Sequence, residues 1–223
     1  MSLKVLGILG SPRPFGGSAQ LLYCALEAAQ QEGAEIELRS VYEGEIKPCQ
    51  GCIQDEDPNC RFPCIFEDYG KELLIKINDA QVIIWATPVY WYAPSGLLKN
   101  LIDRLTCLEN MVAYGEPSYM EGKVVGVITV GADAGLTLAG GYLLTVLNAM
   151  GAIIPPWAHA YSRRADQALY DDRAVMDAIN VGLLAVGMAK RLRGEKGLLS
   201  YVDQQDLLSQ IRQKVEERRP KER

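Results

Sequence analysis

The sequence predicts a doubly wound α/β domain, a five-stranded parallel sheet in the order 2-1-3-4-5 with a C-terminal helical extension. Two observations carry the sheet. Val5-Leu6-Gly7-Ile8-Leu9 and Val82-Ile83-Ile84-Trp85-Ala86 are continuously apolar, which is the pattern of parallel strands covered on both faces. A third carries the crossovers: each apolar run passes through a turn into a segment whose apolar residues recur at helical spacing. Strands that alternate with helices in this way imply right-handed connections.

The first strand, over 4–10, leads into Gly10-Ser11-Pro12-Arg13-Pro14-Phe15-Gly16-Gly17-Ser18 and a helix carrying Leu21, Leu22, Ala25, Leu26 and Ala29. Strand, small polar loop and helix start make an anion site in outline. First-turn N–H groups lack intrahelical partners, the hydroxyls of Ser11 and Ser18 can donate, and Arg13 adds a fixed cation. Such a loop suits a phosphate monoester. It matches neither G-x-G-x-x-G nor the Walker A pattern, which disfavours a nucleoside triphosphate. The competing reading is that Ser18 only caps the helix and Arg13 is solvated.

Residues 35–41 alternate apolar and polar, as an outer strand with one wetter face does. An insertion at about 45–68 follows, with Cys49, Cys52, Cys60 and Cys64, then a helix through Leu73, Leu74 and Ile77. Because it begins where an outer strand ends, the insertion is expected on the same sheet edge as the loops after the apolar strands. The third strand ends in Thr87-Pro88-Val89-Tyr90-Trp91-Tyr92-Ala93-Pro94, an aromatic and proline turn placed where ligands bind in open α/β sheets. Trp85 is expected in the core, and Tyr90 to Tyr92 at a ligand or a second subunit. Leu97, Leu98, Leu101, Ile102 and Leu105 form the next helix, with Cys107 in its last turn as a buried hydrophobe, a role also expected of Cys24.

A strand over 123–130 ends in Gly131-Ala132-Asp133-Ala134-Gly135, a third small-residue loop, followed by a helix through Leu143, Leu144, Leu147 and Met150. Ala152-Ile153-Ile154 is read as the last strand, confined to the sheet margin by Pro155-Pro156. The C-terminal helices lie at about 172–217, the second of them polar enough to rest on a partner subunit. Lone His159 has no partner motif and is read as structural.

The 223 residues suit a single domain, since no linker-like stretch divides them, and 48% hydrophobic with 23% charged residues is ordinary for a soluble globular chain. A net charge of -5 and a pI near 5.1 argue against nucleic acid, and the basic cluster at Arg218, Arg219, Lys221 and Arg223 reads as a solvated tail. No apolar run reaches membrane-spanning length and no signal-peptide pattern opens the sequence, so the expected location is cytoplasmic. In a reducing compartment, six cysteines point to metal, cluster or redox chemistry, or to burial, before disulfides.

With Gly-Ser-Pro-Arg at 10–13, Ser18 at the helix start, Thr-Pro-Val-Tyr-Trp-Tyr at 87–92 and Leu-Leu-Lys-Asn-Leu-Ile-Asp-Arg at 97–104, the sequence resembles the NAD(P)H-dependent FMN reductase family, including its iron-sulfur flavoprotein branch. The likeness runs over about 4–150 and implies a flavodoxin-like fold with FMN. It implies that Ser11, Arg13, Ser18 and the adjoining Ala19 hold the FMN phosphate. Pro88, Val89, Tyr90 and Trp91 would then line the isoalloxazine edge, and Gly131 and Ala132 close the opposite rim.

The cysteine spacing Cys-x2-Cys-x7-Cys-x3-Cys departs from the branch's more compact run, whose third cysteine would fall at Asp55. Cys60 can stand in across the turn-forming stretch with Asp55, Glu56, Asp57 and Pro58, and Cys64 sits where the last ligand would. Four thiolates suit a [4Fe–4S] cluster and also tetrahedral zinc, and unligated or redox-active thiols are the remaining reading. A cluster on the crevice edge would reach a flavin, across a subunit boundary.

The leading function is therefore an FMN-dependent oxidoreductase with NAD(P)H as co-substrate, passing electrons to free flavin, a quinone, a metal species or an iron–sulfur centre. The cofactor carries that chemistry, so no catalytic side chain is nominated. The alternative is an electron carrier relaying electrons between a ferredoxin or another redox protein, a [4Fe–4S] cluster and FMN. A flavodoxin-like binding protein without cofactor is the third. A homodimer or homotetramer is expected.

Overall fold

Five strands run parallel: β1 (Lys4–Leu9), β2 (Glu35–Ser40), β3 (Val82–Tyr90), β5 (Val124–Val130) and β6 (His159–Ser162). The two-residue β4 (Ala93–Pro94) pairs antiparallel with the end of β3, and the main order is β2-β1-β3-β5-β6. This is the predicted order, and the computed structural model describes residues 2–54 and 59–220. The turn-forming stretch 55–58 and the basic residues Lys221 and Arg223 lie outside the described residues.

Apolar strands need cover on both faces, and helices provide it. Helices α1 (Gly17–Gln31), α6 (Asp172–Leu192) and α7 (Gln205–Glu216) bury one face with β1, β3 and β5. Helices α2 (Tyr69–Asp79), α3 (Gly96–Arg104), α4 (Thr106–Glu109) and α5 (Leu136–Ala149) bury the other. Trp85 is fully buried there, as expected of a core residue. Where α1 crosses α6 the backbones nearly touch, for a Cβ on Gly182 would lie 2.0 Å from the Ala25 carbonyl oxygen. Gly182→Ala is expected to destabilise the fold by about 2 kcal/mol, read from the urea midpoint. The collision is with backbone and outweighs the gain of about 1 kcal/mol in helix propensity.

Four expectations need correction. Strand β3 continues through Thr87 to Tyr90, so the aromatic segment is a strand end and a hairpin. Ladder bonds to β5, down to Pro88 opposite Val130, hold it extended. The last strand is His159–Ser162 and not 152–154: Ile153 makes only an isolated bridge to Val124, and the chain re-enters the sheet after the prolines. The reason is that Pro155 and Pro156 offer no N–H to a ladder.

Third, α7 lies on its own chain, with Leu208, Ile211 and Val215 buried against α1 and α6. Arg218 pairs with Glu27 and stacks over Tyr23, and Arg219 stacks over Phe15, so this part of the basic cluster is docked rather than free in solvent. Fourth, α3 ends at Arg104, and Cys107 belongs to the short α4 that follows it. His159 is structural in its surroundings, with its Nε2 2.8 Å from the Thr129 hydroxyl, and burial pushes its pKa down to about 4. Among the described residues no helix is long and apolar enough to cross a membrane.

Candidate functional site

A crevice of about 270 Å³ opens at the C-terminal ends of β1, β3 and β5. The loop after β1 contributes Ser11, Arg13, Gly16, Gly17 and Ser18; the end of β3 contributes Pro88, Val89 and Tyr90; the loop after β5 contributes Gly131 and Ala132. Three segments far apart in the chain thus meet on one sheet edge, because their strands are neighbours in the order β1-β3-β5.

Two buried side chains join the first two segments. The Ser95 hydroxyl donates to the Gly10 carbonyl at 2.6 Å, and the Ser95 N–H donates to the Thr87 hydroxyl at 3.1 Å. Both residues are fully buried, so these bonds face no competition from water. Neither was predicted; only their small hydroxyl side chains between two apolar runs hinted at it.

At the start of α1 the N-cap is Gly16, which places Ser18 inside the first turn and not at the cap. Ser11 and Ser18 are buried, and the Ser11 hydroxyl accepts from the Arg13 N–H at 3.2 Å. Arg13 is 68% exposed and pairs with Asp166 at 2.6 Å. An exposed pair of this kind contributes about 0–1 kcal/mol, so an anion entering the crevice can take the guanidinium at little cost.

Asp166 and Ala165 come from the segment after β6, a wall that the sequence patterns did not reveal. The Gly17 N–H donates to the Ala165 carbonyl at 2.9 Å. Buried Gln20 holds the same segment, donating to the Asp166 carbonyl at 3.2 Å and accepting from the Leu169 N–H at 3.0 Å. Of the other residues singled out, Ala19 is fully buried inside α1, and Trp91 stands at the hairpin tip, 94% exposed and off the crevice wall. Trp91 and Tyr92 take left-handed backbone angles, φ 50° and 66°, which the tight turn between antiparallel β3 and β4 imposes.

The cysteine segment lies elsewhere. Cys49, Cys52, Cys60 and Cys64 do converge on one small cavity, but it is built against α3 and α4 and shares no lining residue with the crevice. After β2 the chain turns back along α3. The Asn100 amide donates to the Ile46 carbonyl at 3.4 Å, Arg104 to the Lys47 carbonyl at 3.1 Å, and Asn110 to the Cys60 carbonyl at 2.7 Å. These bonds draw the insertion away from the sheet edge where it was expected.

Cys107 reaches the same cavity, a fifth sulfur that spacing did not include. A hydrogen bond from Cys107, supported by the Phe66 N–H and by Arg104, holds the Cys64 pKa down at about 5 although burial opposes it. Burial and neighbouring Cys52 push Cys60 up to about 12, and the same bond to Cys64, together with burial, raises Cys107 strongly. The donor set is all sulfur on an apolar wall, which fits a soft metal centre in its chemistry. The sulfurs close on a space of only about 10 Å³, the size of one small ion or water, and no described group of three His, Cys, Asp or Glu stands ready to hold a metal. All six cysteines are free thiols.

Comparison with known proteins returns one family model, described as NADPH-dependent FMN reductase, matching residues 3–167. An iron-sulfur flavoprotein of Archaeoglobus fulgidus is 32% identical over 154 residues, 68% of this chain and 65% of that relative. A second, from Methanocaldococcus jannaschii, is 37% identical over 131 residues, 59% of this chain and 63% of the relative. The chain thus spans a little under two thirds of the length of each of these two relatives. Among solved structures, RosB with a bound 8-demethyl-8-formylriboflavin-5′-phosphate has a TM-score of 0.71 at 19% identity, covering 96% of this chain and 88% of that one. An archaeal flavodoxin has a TM-score of 0.53 at 10% identity, covering 86% and 99%. At such identities the structures show the fold alone, and that fold is flavodoxin-like.

Proposed function

Since the chain belongs to the NADPH-dependent FMN reductase family, we propose that it is an FMN-dependent oxidoreductase that takes hydride from NAD(P)H and passes electrons to a separate acceptor. The observation that carries this reading is the single crevice lined by both motif segments, 11–18 and 88–90, with Gly131 and Ala132 across from them. Its chemistry suits FMN. Two hydroxyls, a loosely paired guanidinium and a helix start fit a phosphate, while Pro88, Val89 and Tyr90 offer a flat apolar border for a ring. Bound FMN would supply the redox chemistry. The loop after β1 would hold the phosphate, and Pro88, Val89 and Tyr90 would border the ring.

FMN binding and anaerobic mixing with NADPH test the reading together. Prompt bleaching of bound flavin supports it; a protein that takes up no FMN, or whose flavin responds only to reduced ferredoxin, sinks it. Arg13→Ala is expected to weaken FMN about tenfold by fluorescence titration, the loss of one charge-assisted contact. Asp166→Ala, which frees that guanidinium, is expected to leave affinity unchanged or slightly higher.

A second reading, an electron carrier with a [4Fe–4S] cluster on Cys49, Cys52, Cys60 and Cys64, is favoured by the convergence of those thiols and by the similarity to iron-sulfur flavoproteins. Iron and acid-labile sulfide in anaerobically prepared protein decide it. For assembly we propose a homodimer or homotetramer in which a second copy covers the exposed tip at Tyr90, Trp91 and Tyr92, with sedimentation as the test.

A further inference from the structure

A second cavity, of about 200 Å³, flanks the segment after β6 that walls the crevice. It opens where β6 ends and α6 begins, and Arg163, Arg164 and Arg173 line it together with Tyr161, Asp171 and Asp177. The strip between the two spaces is short. Arg163 and Arg164 belong to the cavity and the next two residues, Ala165 and Asp166, to the crevice.

Hydrogen bonds fix this strip in place. Ser162, 1% exposed, accepts from the Arg164 N–H at 3.1 Å and donates to Asp171 at 2.7 Å, while its carbonyl accepts from the Gly131 N–H of the crevice loop at 3.1 Å. The Arg164 guanidinium donates to the Tyr170 carbonyl at 2.8 Å. Both carboxylates are already engaged: Asp171 also caps α6 through the Ala174 N–H at 3.3 Å, and Asp177 accepts from the Tyr201 hydroxyl at 2.6 Å. Arg163 and Arg173, by contrast, make no hydrogen bond or ion pair among the described residues, and neighbouring Asp172 pairs with Arg212 instead. Three cations against two committed carboxylates leave a positive hollow with two guanidiniums to spare, which is the chemistry of a phosphate site.

We propose that this cavity takes the 2′-phosphate of NADPH, and that Arg163 and Arg173 set a preference for NADPH over NADH. The inference rests on the reading of the chain as an NAD(P)H-dependent flavoprotein and names the nucleotide that reading leaves open. The crevice itself has one arginine, Arg13, which the FMN phosphate would occupy. A pyridine nucleotide brings phosphates of its own, so it needs cations beyond that one. Tyr161, 41% exposed at the same cavity, offers a ring face to the adenine. NADH lacks the 2′-phosphate and gains nothing from the two guanidiniums, which is how a site discriminates between otherwise equal ligands.

The test uses the full chain loaded with FMN. Calorimetry compares adenosine 2′,5′-bisphosphate with adenosine 5′-monophosphate, which differ only in the group assigned to this cavity. Wild type is expected to bind the bisphosphate about tenfold more tightly, as charge-assisted contacts at exposed side chains would give. The double variant Arg163→Ala/Arg173→Ala is expected to bind both nucleotides alike. Arg173→Lys, which restores the charge without the planar fork, is expected to lose about threefold in bisphosphate affinity. Anaerobic bleaching of the flavin should show the same preference for NADPH over NADH in wild type and its loss in the double variant, with FMN affinity unaltered.

Equal affinity of wild type for the two adenosine nucleotides overturns the proposal, and so does a double variant that keeps the tenfold difference. Should the double variant fail to fold, Arg173→Lys decides, and an undiminished bisphosphate affinity in it removes the assignment. A flavin bleached by neither NADPH nor NADH sinks the oxidoreductase reading and this inference with it. Bleaching by both at equal concentrations sinks this inference alone.

Discussion

Arg104→Leu is expected to remove about 3–5 kcal/mol of folding stability, the largest loss for any substitution considered for this chain. Arg104 and Asp68 are 1% and 2% exposed, so the leucine leaves a buried carboxylate without its cation. Asp68 also caps α2 through the Lys71 N–H at 3.0 Å and accepts from the Lys47 N–H at 2.9 Å, so its disturbance reaches both ends of the insertion. Urea unfolding measures the effect, and a loss below 1 kcal/mol would show that the pair is solvated in solution. Adding Asp68→Leu should recover part of the loss, since two apolar residues there leave no stranded charge.

The same pair has a pH signature. Burial opposes ionisation of Asp68, yet the Arg104 bonds and the two backbone N–H groups win and hold its carboxyl below the ordinary value of 3.8. A depressed carboxylate pKa contributes stability that is present above 3.8 and is lost as the pH falls through the folded-state value. Wild-type protein is therefore expected to lose stability on acidification below about pH 4, and Arg104→Leu to lose less over that range.

Gly17→Ala is expected to weaken FMN binding by more than tenfold, beyond the effect of Arg13→Ala. A Cβ at position 17 would lie 2.1 Å from the Ala165 carbonyl oxygen and 2.9 Å from Val130. The obstacle is backbone on a segment that Gln20 already holds, so the wall after β6 must shift or the first turn of α1 must tilt. Either movement displaces N–H groups that a phosphate would use. Fluorescence titration measures the loss, and wild-type affinity in this variant would detach the helix start from the phosphate. Thermal melting separates that outcome from simple unfolding.

The crevice at the sheet edge was largely legible before the fold. Ser11, Arg13, Ser18, Pro88, Val89, Tyr90, Gly131 and Ala132 were named from motifs and strand ends, and all of them line one cavity. A strand end followed by a turn is a local pattern, and strand order then brings such turns together. Trp91 behaved differently because its direction depends on a two-residue strand, β4, too short to leave a periodic signal. Ala165, Asp166 and Cys107 carry no local mark of their surroundings. Their neighbours are made by the return of the chain after β6 and by the end of α3.

What the amino-acid sequence determined by itself is the alternation of buried strands with helices, the sheet order and the loops that meet at its edge. These follow from apolar periodicity and from the short range over which turns act. Only the tertiary structure decided that the last strand begins beyond Pro155 and Pro156, that α7 closes on its own α1, and that the thiols gather behind α3 away from the crevice. Each of those outcomes depends on hydrogen bonds and packing between residues tens of positions apart, such as Arg104 with Asp68 or Gln20 with Leu169, and no local pattern encodes which distant partner a buried polar group will find.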